Sequence, residues 1–104
     1  MPSNKFTVRL LAIAEQDLVE LVSYLAAENP KAAADVVDHI EARLQTLTSH
    51  PFIGRIPQAP KLTALGYRVL VIDNYLVFYK VKGNTVLVHR ILHGARDLLR
   101  VLSE

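Results

Sequence analysis

The sequence predicts an α+β fold: a β-α-α-β-β-β chain whose antiparallel sheet carries a helical hairpin on one face, with a short C-terminal tail. Three observations predict it. Two apolar stripes of helical period lie between residues 15 and 47, separated only by Asn29-Pro30. Three apolar runs of period two follow from Tyr67, joined by turn-forming residues. A short alternating segment, Phe6 to Leu11, precedes the helices.

Each element has a local reason. In the first segment Phe6, Val8 and Leu10 alternate with Thr7 and Arg9, as in a half-buried strand. The first helix is expected over Glu15 to Glu28, with Leu18, Leu21, Val22 and Leu25 on one side. Glu15, Asp17 and Glu20 fall in its first turns, where carboxylates suit the positive end of the helix dipole. Asn29 is a good N-cap and Pro30 suits the first helical position, so a second helix starts at once. It carries Ala33, Val36, Val37, Ile40, Leu44 and Leu47 and stops at His50-Pro51, completing an antiparallel hairpin.

Residues 51–64 hold three of the five prolines and show no period, which predicts a loop. YRVLVI and YLVFYKV then form two strands about Asp73-Asn74, whose side chains tolerate the positive φ of tight turns. Lys82-Gly83-Asn84 turns the chain into TVLVHRIL, and Gly94 ends that strand. The tail, Ala95 to Leu102, has the pattern of a short helix bearing Leu98, Leu99 and Leu102. The last three strands are apolar on both faces, and a hairpin covers only one. The other is expected to need the loop, the tail or a second chain.

At 104 residues, residues 1–104 make one domain. A hydrophobic content of 51% with 21% charged residues excludes a disordered chain. With no cysteine, disulfides and thiolate metal sites are impossible. No stretch has the apolar length of a membrane span, and MPSNKFTVRL lacks a signal-peptide core; the expectation is a cytoplasmic chain with no membrane contact. Charge is uneven. Residues 1–50 hold four basic and seven acidic residues, net −3, whereas residues 51–104 hold eight and three, net +5. The second half therefore suits an acidic partner, nucleic acid or protein.

Candidate chemistry narrows by elimination. His89-x-x-x-His93 has a zinc-like spacing, but on a strand those residues are ~13 Å apart along the chain, too far to ligate one ion. No metal or cofactor is expected. The serines lack a nucleophile-elbow context, the four glycines form no phosphate loop, and the β half has no paired carboxylates. Arginine remains: Arg55 in the loop, Arg68 on the first hairpin strand, Arg90 on the last strand and Arg96 just beyond it. Guanidinium keeps its charge and grips phosphate or carboxylate through two parallel hydrogen bonds. Tyr67, Tyr75 and Tyr79 could add stacking faces. Arg90 has a structural alternative, pairing with an acid of the helices.

The run GYRVLVIDNYLVFYKVKGNTVLVHRILHGARDLLRVL resembles the C-terminal half of RelE/ParE superfamily toxins of type II toxin–antitoxin systems. AEQDLVELVSYLAAENPKAA resembles the family's first helix and turn, and HPFIGR its loop. The resemblance implies the β-α-α-β-β-β fold and a cognate antitoxin protein that wraps the toxin. It implies growth arrest by one of two routes: RelE-like members cut mRNA on the ribosome, and ParE-like members poison DNA gyrase. For a RelE-like nuclease it assigns catalytic roles to Arg68 and Arg96. The arginine expected after Tyr75 is here Leu76, and the C-terminal tyrosine falls near Leu102. The ILH-x-x-x-D run at residues 91–97 is closer to ParE-like chains. The expectation is therefore a gyrase-directed toxin with Arg55, Arg68, Arg90, Arg96 and His93 as target-binding residues. A ribosome-dependent nuclease and an inactive antitoxin-binding module are the alternatives.

Overall fold

The computed structural model describes residues 5–94 and Asp97. Its elements are β1 (Thr7–Leu10), α1 (Ala12–Glu28), α2 (Pro30–Thr46), α3 (Pro60–Ala64), β2 (Arg68–Ile72), β3 (Tyr75–Lys82) and β4 (Thr85–His93). The four strands form one sheet in the order β1-β4-β3-β2. The helical hairpin packs on one face, α1 against β4 and α2 against β2.

The caps behave as their residues dictate. The Asn29 side chain accepts the Ala32 N–H at 3.1 Å and Pro30 opens α2. Asp73 takes φ +52°, and His39 of α2 reaches its carboxylate at 2.7 Å, tying the helix to the β2–β3 turn. Gly94 follows β4, its N–H donating to Asn74 O at 2.7 Å; a β-carbon there would press on that same carbonyl oxygen.

Four differences from the sequence reading have physical causes. The sheet is mixed: β2, β3 and β4 are antiparallel, but β1 lies parallel to β4. Alternation at Phe6 to Leu11 specifies a buried face and is blind to strand direction, which the long helical connection sets. Helix α1 starts at Ala12, because Leu11, still bonded through its N–H to Val88 O, also accepts the Glu15 N–H. The loop contains the one-turn helix α3, with Pro60 in its first turn and Thr63 Oγ donating back to Pro57 O. Finally, β4 is bulged. Phe78 pairs with Arg90 but Tyr79 pairs with Val88, so His89 is an extra residue. The bulge shifts the parity of β4. Val86 and Val88 face the helices before it and Ile91 after it, while Arg90 is turned to the far face. The expected tail helix lies outside the described residues.

The core joins Ala14, Ile40, Leu44 and Leu47 to Leu70, Ile72, Tyr75, Val77, Tyr79, Val86, Val88 and Ile91. Tyr79 is fully buried, and its hydroxyl accepts the Gly54 N–H at 2.8 Å. A β-carbon on residue 54 would stand 2.5 Å from that oxygen and 2.8 Å from Tyr79 Cε1, so only glycine fits. Gly54→Ala is expected to destabilise the chain by about 1–3 kcal/mol through overpacking. Tyr79→Phe should cost about 1–3 kcal/mol by orphaning the buried N–H. Urea unfolding followed by circular dichroism measures both; a wild-type midpoint for either variant would show that this contact does not hold the loop.

Candidate functional site

Arg68 and Tyr79 are cross-strand partners on the helix-facing side of the sheet. Arg68 turns to the preceding loop, donating through Nη1 to Phe52 O at 3.1 Å and Gly54 O at 3.0 Å, with its guanidinium 5.1 Å from the centre of the Phe52 ring. Arg55 exchanges both backbone hydrogen bonds with Val69 and so prolongs the sheet by one residue. The arginine assigned to the target thus clamps a loop. Burial pushes the Tyr79 hydroxyl above its ordinary pKa, while the Gly54 N–H and the Arg68 charge pull the other way.

Arg90 is also engaged. Its Nε and Nη2 donate to the two carboxylate oxygens of Asp17 at 2.8 and 3.1 Å, and the Ile91 N–H donates to the same group at 3.0 Å. Of the two readings of Arg90, the pairing with a helix acid is the one the structure supports. His93 faces the helices beside Tyr75, their rings edge-to-face at 5.5 Å, and its N–H donates to Asp97 at 2.7 Å. It borders a cavity of about 210 Å³ with Glu20, Leu21 and Tyr24; among the described residues its Nδ1 has no hydrogen-bond partner. Arg96 lies outside the described residues.

The nominated residues therefore do not form one patch. Arg68 and His93 face the helices, while Arg55 and Arg90 end a far-face row, Arg55–Val69–Phe78–Arg90, spanning about 14 Å at ordinary strand spacing. His89 and His93 also point to opposite faces, so the strand separates the rings of the zinc-like spacing.

The sequence reading did not single out two features of the surface. The first is a cationic half of the far face. Arg9, Leu87 and Lys80 form one cross-strand row, with Lys82 in the next. Lys80 Nζ stands 4.5 Å from the Tyr67 ring centre, and the Tyr67 hydroxyl meets His89 Nδ1 at 3.1 Å. Burial, then Lys80 and Lys82, hold His89 below its ordinary pKa, so the neutral ring can accept the Tyr67 proton donor. The bulge at His89 brings its ring to Tyr67 and so assembles this cluster.

The second is a ledge on the loop. Far-face apolar residues are less bare than their alternation implies: Phe78 and Leu92 are buried, and of the large apolar residues in the described strands only Val71 is exposed, at 37%. Phe52, Ile53 and Ile56, by contrast, are 58%, 54% and 53% exposed. Two successive apolar residues before Gly-Arg in a proline-rich loop were the available signal.

A mixed four-stranded sheet with a helical hairpin on one face and an anchored loop carrying HPFIGR defines a toxin of the RelE/ParE superfamily. Residues 8–98 match the family described as ParE toxin of type II toxin–antitoxin systems, and the chain belongs to that family. It is 31% identical over 90 residues to Toxin RelE1 of Caulobacter vibrioides, covering 86% of this chain and 94% of that one. Two solved structures share the fold. A chain of the chromosomal ParDE system from P. aeruginosa gives a TM-score of 0.73 at 21% identity, over 88% of this chain and 99% of that one. A chain of the RelBE2 toxin–antitoxin complex from Mycobacterium tuberculosis gives 0.60 at 23%, over 86% and 98%. Among the described residues no helix is long and apolar enough to cross a membrane.

Two measurements test this arrangement. Asp17→Asn removes the charge that Arg90 Nε, Arg90 Nη2 and the Ile91 N–H all meet and should cost about 1–3 kcal/mol in urea unfolding; an unchanged midpoint would make the pair incidental. For His89 the folded pKa lies below the unfolded one. Its contribution to stability is therefore complete above the ordinary value of 6.5 and is lost as pH falls through the folded value. The NMR titration midpoint of His89 should lie below 6.5, and Lys80→Gln should raise it. A midpoint at or above 6.5 would contradict the assigned surroundings.

Proposed function

We propose that this ParE-family toxin arrests growth by binding and poisoning DNA gyrase, and that a cognate antitoxin neutralises it. The observation that carries the reading is the engagement of Arg68 and Arg90 inside the protein, together with the apolar Leu76 on β3, level with Val71 and Leu92. A nuclease needs groups free to activate a 2′-hydroxyl and stabilise a developing phosphate charge. Here the nominated guanidinium at Arg68 holds a loop, and the strand position that would carry another is apolar. Such a surface suits association with a protein. That the two structural relatives come from toxin–antitoxin systems supports an antitoxin partner.

Ribosome-dependent mRNA cleavage is the second reading. It is favoured by the grouping of Lys80, His89 and Tyr67 on the open face, where a cation, an imidazole and a phenol stand together. The test adds purified toxin, released from its antitoxin, to gyrase and relaxed plasmid. Supercoiling should fall and cleaved DNA should accumulate. Unimpaired supercoiling with folded toxin, together with codon-linked cuts mapped by primer extension in induced cells, would replace gyrase by mRNA. Normal growth on expression without antitoxin would leave only the inactive binding module.

A further inference from the structure

We propose that the loop ledge of Phe52, Ile53, Arg55 and Ile56 is the surface through which this toxin docks on its protein target, a folded partner offering an apolar groove rimmed with carboxylates. The inference rests on the reading of this chain as a toxin with a protein target.

Three large apolar side chains here are more than half exposed although the chain beneath them is anchored. The Gly54 N–H is held by Tyr79, the carbonyls of Phe52 and Gly54 by Arg68, and Arg55 by two backbone bonds to Val69. The Ile53 N–H also donates to His50 O at 3.2 Å. A loose loop could fold such side chains inward; this one keeps them outward. Backbone ordering that a partner would otherwise impose is already complete, which favours tight association.

The chemistry selects the partner. Arg55 stands exposed between Ile53 and Ile56, and the described residues offer its guanidinium no hydrogen-bond or ion-pair partner. Exposed bulky apolar residues flanking such an arginine along one short anchored segment have the composition of a protein-interface centre, and the charge calls for carboxylates opposite. Val71, exposed and on the same side of β2 as Val69, carries the patch from the loop onto the sheet. Nucleic acid fits poorly. Isoleucines give no stacking surface, the Phe52 ring already has Arg68 against it, and one arginine supplies few of the phosphate contacts such binding requires.

The experiment places Ile53→Glu, Ile56→Glu and Arg55→Glu separately in the full chain, with Ile53→Ser as a milder variant should the charged ones misfold. Val19→Glu, equally exposed but on α1, is the control. Growth arrest without antitoxin, gyrase inhibition, antitoxin affinity and thermal midpoint are measured for each. Ledge variants with wild-type melting should need about tenfold more toxin or more for the same arrest, as for an interface hot spot, and Val19→Glu should match wild type. Wild-type potency of the folded ledge variants overturns the proposal, and so does loss of antitoxin binding alone, which would assign the ledge to the antitoxin. Filter binding to RNA or DNA that the ledge substitutions abolish would overturn it in favour of nucleic acid. If wild type arrests growth but leaves gyrase untouched, the gyrase reading fails alone. The ledge then stands or falls on the potency of Ile53→Glu. A wild-type chain that arrests nothing overturns both.

Discussion

The hydroxyl of Tyr79 sits in the core with no exposure and accepts one backbone N–H, that of Gly54. Burial keeps the phenol neutral, so its oxygen is a fixed, uncharged acceptor at the base of the loop. From that contact the surrounding geometry follows. Residue 54 must lack a β-carbon, which brings the loop backbone against the ring. Arg55 then lies level with Val69 and completes a backbone pair. Arg68, opposite Tyr79 on β2, has the two carbonyls it needs within reach. The loop is thereby an extension of the core. This differs from the usual surface connection, whose backbone is satisfied by water and free to move.

The opposite edge of the sheet is closed by different means. β1 pairs with β4 only as far as Val88, so beyond that point the edge of β4 away from β3 has no strand among the described residues. Unpaired edge N–H groups invite another chain to add to the sheet. Carboxylates occupy them here: Asp17 takes the Ile91 N–H and Asp97 that of His93. Asp17 in turn needs a counter-charge, which Arg90 supplies from the far face. Edge protection and arginine engagement are therefore one fact. A formal excess of basic residues in the second half overstates the charge presented to a partner, since two of its arginines neutralise or tether groups within the fold. Among the described residues of that half, Arg55, Lys61 and Lys82 are exposed and Lys80 is half-buried on the far face, where Arg9 of β1 joins it.

Periodicity and turn chemistry made most of the fold legible. The two helices, the Asn29-Pro30 junction, the Asp73-Asn74 turn and the end of β4 at Gly94 stand where residue preferences alone put them. The site was less legible, because its decisive contacts join residues far apart in sequence. Arg90 and Asp17 are separated by 73 positions, and Tyr79 and Gly54 by 25. A pattern shows that an arginine is present on a strand and says nothing of what it holds. The bulge illustrates the second blind spot. One unpaired residue at His89 reverses the facing of all that follows, so a parity counted from Val86 misplaces Arg90 and Ile91.

Form and recognition separate cleanly in the stretch from Phe52 to Ile56. Gly54 is dictated by the Tyr79 ring, and Arg68 by the carbonyls it must satisfy; altering these changes the shape of the loop. Phe52, Ile53, Arg55 and Ile56 direct their side chains outward, and beyond the contact of Phe52 with Arg68 the fold asks little of them. An exposed isoleucine contributes little to stability and adds an aggregation hazard, so folding alone gives no reason to place two of them beside a phenylalanine on a rigid support. A partner does. The same reasoning explains why the support is built from the core. A docking surface holds its geometry only if the backbone beneath it is fixed, and here the fixing group is the hydroxyl of the fully buried Tyr79.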